Sequence, residues 1–501
     1  MEKFKYIKLL LIGVMISLAS CSEDVLDEIN RNPNNPLDTP SQFVITDAMN
    51  ASLVRVANGD YAFYASLFIE HQVGVFNQFH QAEIRLDASL TQATTYNSAW
   101  VGSYQAMRNL KDVITKCSEG GAEVGNNHTL GVAQILMAYN LSVVTDMCGD
   151  IPWSQALDPV NYLRPELDKQ EAIYTDIFSL LDEGIANLEK DNDGNYDAIG
   201  VHDMIYGSLR PTSSNGNDQV SWRQAWVKLA WGLKARFTMR LSHKTPNYAD
   251  VLAHAAKSFT SADEEAKSTY NGSTSYNPYY LMYTQRDYYG SSQSMRNNMD
   301  DNDPRIANYF IPYPKSDPAD EQLEFAPNGD IDQIQGVYGI SSYFNNRTEN
   351  TFIMSYHELL FLIAEATARN NGSAAEIQTA TVAAVRAALA SASIAQADID
   401  NYITYIEGNK TFDVDYVMKE KYISQYISES LEAYNDYRRL KAMNGGTVPA
   451  YVTFLNPQPA KFPLRMTYGA DDVNNNQNVR DALGDGQYVY TENVWWAGGS
   501  R

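Results

Sequence analysis

The sequence predicts a mostly α-helical fold, an array of helical hairpins with long irregular loops and a few short strands. Three observations carry that expectation. Ten segments repeat apolar residues at three- and four-residue spacing, the period of one helix face. Most follow one another across short Gly- or Asn-containing breaks, as successive hairpins do. Two stretches, 191–220 and 262–350, lose the period and are dense in Asn, Asp, Gly, Ser, Pro and Tyr. With 501 residues and 44% apolar side chains the chain can bury a large core, which excludes disorder, a peptide-sized scaffold and a fibrous repeat.

In chain order, the spacing predicts helices over Phe43 to Asn58, Asp60 to Val75, Ser89 to Cys117, His128 to Met147, Glu171 to Lys190 and Ser221 to Ser242. In the last of these, Trp222, Trp226, Leu229, Leu233 and Phe237 make one stripe with Lys234 and Arg236 off it, the pattern of a core-packing helix. Further helices are expected over Phe352 to Asn370, Ser373 to Ala392, Phe412 to Ile427 and Glu429 to Met443. The tail from Asn444 onward is irregular and ends in Trp495 and Trp496, rings expected to pack back on the core.

Sixty-one acidic against 38 basic side chains give a formal charge of −23, a field that repels phosphate backbones, so nucleic acid is not an expected partner. No apolar run reaches the roughly 20 residues a bilayer-crossing helix needs. The N-terminus carries an export signal instead. Lys3, Lys5 and Lys8 precede an uncharged apolar stretch, Leu9 to Ala19, with the dimensions of a signal-peptide h-region. It ends Leu18-Ala19-Ser20-Cys21, which resembles the bacterial lipobox. The expected division is therefore a signal peptide over 1–20, an acylated Cys21 with a flexible Asn- and Pro-rich tether over 21–42, and one domain over 43–501. At about 0.8 kcal/mol per buried methylene, several acyl chains hold a protein on a membrane almost permanently. Ser22, Glu23 and Asp24 resemble the signal that sends some lipoproteins to the cell exterior. Cys117 and Cys148 are the only other cysteines, too few for a stapled framework, and their pairing is left open.

Several segments together resemble the SusD/RagB-like family of outer-membrane nutrient-binding lipoproteins, in particular its second, more divergent branch. Ala133 to Leu157 is similar to the family's helix running into a Gly-Asp-aliphatic-Pro-aromatic turn, here Gly149, Asp150, Ile151, Pro152 and Trp153. The helices from Gln170 and from Trp222, the Asp303-Pro304-Arg305 triplet, His357 to Ala366 and Tyr434 to Leu440 match in order. The segment from Pro463 does too, with Gly469 where a proline is usual and Asp471 or Asp472 where a glutamate is usual. The resemblance implies tetratricopeptide-like hairpins, a SusC-like TonB-dependent transporter barrel as partner, and an oligosaccharide or, in some relatives, a peptide as ligand.

The residues themselves point to a binding surface. Tyr270, Tyr276, Tyr279, Tyr280, Tyr283, Tyr288 and Tyr289 fall within twenty positions, where even use of the chain's 34 tyrosines would place about 1.4. A phenol offers a flat apolar face and a rim hydroxyl, matching a sugar ring's C–H face and its hydroxyls. Tyr276, Tyr279, Tyr280, Tyr283, Tyr288 and Tyr289 are therefore candidate ligand contacts, joined by Phe76, Phe79 and His80. The competing reading has these rings packing the loop onto the helical body or the transporter, and Phe76 and Phe79 closing the core. Trp100 and Tyr104, four apart on a helix, read as core. Asp300, Asp301, Asn302 and Asp303 lack EF-hand spacing and read as a turn.

No catalytic residue or cofactor is expected. HExxH, GxSxG, P-loop and GxGxxG patterns are missing from the sequence. Glu358 and Glu365 look like a hydrolase pair, but seven positions on one helix set their backbones about 10.5 Å apart on one face. They cannot flank a glycosidic bond. A buried salt bridge to an arginine such as Arg386 is the plain reading, and Asp436 with Arg439 has the spacing of a surface or inter-helix ion pair. A surface glycan hydrolase and a purely structural adaptor are the alternatives.

Overall fold

The computed structural model describes residues 38–193, 196, 199, 202–207, 218–314 and 323–501. The expected leader, Cys21 and most of the tether lie outside the described residues, as does part of the stretch 191–220. Helix α1 (Ser41–Ala51) runs through a π-helical turn, Ser52–Ala57, into α2 (Asp60–Phe68), and a short α3 (Asn77–Glu83) follows. Four long helices come next, α4 (Asn97–Cys117), α5 (Asn127–Cys148), α6 (Gln170–Glu189) and α7 (Asp218–Arg240), then α8 (Tyr248–Ala255). Inside the irregular region sits α9 (Pro278–Arg286). The chain then adds α10 (Tyr356–Arg369), α11 (Ala374–Ser391), α12 (Gln396–Asn409), α13 (Val414–Ser424) and α14 (Ser430–Met443).

Successive helices pack on one another from α4 to α8 and again from α10 to α12, and α8 against α10 joins the two runs into one stack. At its centre, α5 is buried on every side. It is long and apolar enough by length and composition to cross a membrane, but His128 through Cys148 are all buried in protein. It approaches α6 most closely where Gly131 faces Gly184: a β-carbon on Gly131 would lie 2.7 Å from the Gly184 carbonyl oxygen. The expected stripe of α7 is buried, but so is Arg236, at 3% exposure, because α5, α6, α8 and α10 enclose that helix.

Buried charges fasten the stack. Arg236 grips Glu358 of α10 through Nε (2.7 Å) and Nη2, and Arg439 of α14 reaches both oxygens of Glu365 at 2.8 and 2.7 Å. The carboxylates are thus paired as expected, with a correction: Arg386 instead meets Asp400 on the surface. Asp436 and Arg439 (2.9 Å) are buried rather than superficial, with Lys421 on the same carboxylate at 2.6 Å. Asp300 receives Lys410 and Tyr405, and Asp303 receives Arg305, so side-chain donors occupy those oxygens. Cys117 and Cys148 are free and buried.

Three expected helices are shorter than their apolar runs, Ser89 to Cys117 starting only at Asn97. Asp60 to Val75 ends at Phe68 because Glu70 is left-handed, its φ of 56°, and its carboxylate accepts the Leu455 and Asn456 amides. Phe352 to Asn370 starts only at Tyr356, after Ser355 caps the helix by accepting from the Glu358 amide. The residues thus released form strands: β1 (Gln72–Gly74) pairs antiparallel with β3 (Tyr289–Ser291), and β6 (Thr351–Met354) with β2 (Ala266–Ser268). A third pair joins β4 (Phe310–Ile311) to β5 (Ile340–Ser341). The irregular region is thereby stitched to the helical body on both sides of α9.

Candidate functional site

Helix α9 positions the tyrosines. Asn277 caps it by accepting the Tyr279 and Tyr280 amides at 2.8 and 3.2 Å, with Pro278 at the first helical position. Asp287 ends it in the left-handed region, and Gln335 Nε2 donates to the Asp287 carbonyl at 2.8 Å. A helix this short turns its residues to fixed sides.

One side is core, which corrects part of the sequence reading. Tyr279 is 2% exposed: it stacks on Phe344 at 4.4 Å and 14°, meets Phe63 edge-on, and shares a hydrogen bond with Ser430. Tyr283 and Phe79 are each 1% exposed, and Tyr288 and Tyr289 are buried around Phe79 with ring centroids 5.8 and 4.9 Å away. These five rings have no free face for a ligand. Pairing of β1 with β3 draws Tyr288 and Tyr289 against α3, which carries Phe79. Trp100 is core as expected, its Nε1 donating to Asp472 at 2.6 Å. Gly469 makes room for it, since a β-carbon there would lie 2.5 Å from the indole.

The other side is open. Tyr276 and Tyr280 stack with centroids 6.0 Å apart and planes 19° from parallel. Arg347 donates from Nε to the Tyr280 hydroxyl at 2.9 Å and lies 5.6 Å from the ring centroid. Tyr276 donates to the Ser273 carbonyl at 2.6 Å, and Asn271 Oδ1 accepts the amides of Ser273, Thr274 and Ser275. The turn beneath the platform is therefore braced. Phe76, 46% exposed, packs on Tyr288, and His80 Nε2 contacts the Asp330 carbonyl at 3.2 Å, which places both at the β1–β3 end of the region.

Along the same helix runs a cleft of about 600 Å³ between α9, the π-helical turn and the start of α4. Arg55, Asp60, Ser98, Gln105, Gln285 and Arg286 supply polar groups, with Asn97 and Asp471 at the rim. Arg55 is seated by the absence of a side chain at Gly102, where a β-carbon would come within 3.0 Å of its stem, and its Nη1 donates to Gln105 Oε1 at 2.6 Å. Burial pushes the Asp60 carboxyl above its usual range, against the Ser98 hydrogen bond. Sequence reasoning missed these groups and Arg347. On their own segments they read as ordinary solvated polar residues, and only the approach of α9 gathers them. A second groove of about 710 Å³, between α8, α10 and α11, is lined chiefly by aliphatic and small residues and carries no aromatic ring. It lacks the chemistry that stacks a sugar.

Comparison with known proteins agrees with this architecture. A SusD-like family model described as starch-binding associating with outer membrane matches residues 33–468. A SusD/RagB family protein from Bacteroides thetaiotaomicron is 36% identical, with a TM-score of 0.80 over 93% of this chain and 100% of that one. A SusD homolog from Parabacteroides distasonis (17% identical, TM-score 0.71, 92% of this chain and 99% of that one) shares the fold. So does a chitin-binding SusD homolog from Flavobacterium johnsoniae (17%, 0.66, 91% and 98%). No curated protein matches the chain. A family match over this length and a relative this similar across its full length establish that the chain belongs to the SusD-like family, whose description is starch-binding in association with the outer membrane.

Proposed function

We propose that this chain captures an oligosaccharide on the exposed side of α9 and passes it to a SusC-like TonB-dependent transporter barrel, without covalent chemistry. The observation that carries the reading is the half-buried Tyr276–Tyr280 stack at the start of α9, with a polar cleft along another side of the same helix. Each ring that covers about 50 Å² of apolar surface contributes about 1.3 kcal/mol at ~25 cal/mol/Å². Two stacks and a few hydrogen bonds, less the cost of immobilising the ligand, give micromolar to millimolar affinity. A delivery protein needs that weakness, because it has to release its cargo. The Cys21 lipid anchor, facing the cell exterior, keeps the chain beside its transporter in this reading; detergent, not salt, is then required to release it from membranes.

Calorimetric titration of the purified chain with neutral and anionic oligosaccharides, followed by mass analysis of the recovered sugar, tests the proposal. Binding with the sugar recovered intact is expected. Shortened products would make it a hydrolase, and silence across the panel would leave only the structural role.

A further inference from the structure

On the reading that α9 bears the ligand, we propose that the ligand is an anionic oligosaccharide, one carrying carboxylate or sulfate groups. The observation is the placing of arginines. Arg55, Arg286 and Arg347 are all exposed, and none has a carboxylate within 4.0 Å among the described residues. Arg236, Arg296, Arg305, Arg386 and Arg439 each sit against an acid, whereas Arg108, Arg164 and Arg480 are likewise exposed with no acid within 4.0 Å among the described residues. In a chain of 61 acidic and 38 basic residues, three exposed arginines without an acid partner around one helix set positive charge locally against a repelling net field.

Their geometry suits anion recognition. Arg55 and Arg286 line the cleft, and Arg347 holds the Tyr280 hydroxyl at the edge of the platform. The Arg55 stem is fixed against Gly102 and one of its five N–H groups is spent on a neutral partner, Gln105, which leaves the rest for a ligand. A planar guanidinium matches carboxylate or sulfate oxygens two at a time, and a neutral sugar hydroxyl only one at a time. Two acids also line the cleft. Asp60 is turned to Ser98, and Asp471 faces Asn97 at the rim. Neither bridges to an arginine.

The test is calorimetry of the purified chain with an oligogalacturonate hexamer, a chondroitin sulfate hexasaccharide, maltohexaose, chitohexaose and a hexaglutamate peptide, at low and high salt. At least one anionic sugar is expected to bind ten times more tightly than either neutral one, with affinity falling as salt rises. Arg55→Gln with Arg286→Gln should lower that affinity about 10- to 100-fold and leave Tm unchanged, while Arg108→Gln on α4 should change neither. Equal or tighter binding of a neutral sugar overturns the charge assignment and leaves the site standing. Preference for hexaglutamate overturns the sugar class, and binding of no probe overturns the site as well.

Discussion

Tyr279 and Tyr280 are adjacent in the chain, yet the turn of about 100° between helical neighbours sends one phenol onto Phe344 and Ser430 and the other out to Arg347. The number of tyrosines singled out the segment, but a count cannot separate the buried rings from the open ones. That separation depends on which face α9 turns to Phe63 and Phe344, elements far away in sequence. Truncating Tyr279 to alanine leaves a cavity in a packed aromatic cluster and should cost about 3–5 kcal/mol, seen as a lower Tm. The same change at Tyr276 should stay within about 0.5 kcal/mol, because its ring has solvent on one side. Trp100 shows the opposite case. Its place in the core follows from helix spacing alone, whereas its fit depends on Gly469, where a side chain would strike the indole.

Among the elements, α10, α13 and α14 are joined by charge, and this makes stability depend on pH. Burial opposes ionisation of Asp436, but Lys421 and then Arg439 outweigh it and hold its carboxyl below the usual range. Burial likewise opposes ionisation of Glu365, and Arg439 and Arg369 outweigh it. A carboxylate whose pKa is depressed by folding adds stability above its unfolded pKa of about 4, and that stability is lost as pH falls through the folded value. Tm should therefore hold from neutrality to about pH 5 and fall below about pH 4. Asp436→Asn should lower Tm at pH 7, because it leaves Lys421 and Arg439 short of a buried partner at a cost of about 3–5 kcal/mol, and should flatten the acid limb. His357 has the opposite sign: Glu429 raises it against burial, so its contribution is complete below about pH 6.5 and fades as pH rises. These helices were legible from periodicity because their apolar faces repeat. Their ion pairs were not, since Glu358 and Glu365 signal only that some cation is near, and Arg386 was as eligible as Arg236 or Arg439 until the chain was folded.

At the scale of the whole molecule, the helical stack supplies a wall and, on the proposed reading, the irregular region supplies the surface that meets ligand. Most of the long helices could be read from local pattern, whereas α3, α8, α9 and α12 had no counterpart in it. The cleft could not, because it joins the π-helical turn, α4 and α9, which are separated by up to some 230 residues of sequence. The same division explains how a strongly acidic chain can still offer guanidinium groups at one place: the net charge belongs to the whole surface, and the cleft to three elements. The claim on which this account turns is that the open face of α9, and no other groove, holds the ligand. Titrating the Tyr276→Ala/Tyr280→Ala double variant beside the unaltered chain, with the oligosaccharide the latter binds best, addresses it directly. Two lost stacks at about 1.3 kcal/mol each predict a loss of affinity of roughly tenfold or more with Tm unchanged, whereas unaltered affinity in a folded double variant would contradict it.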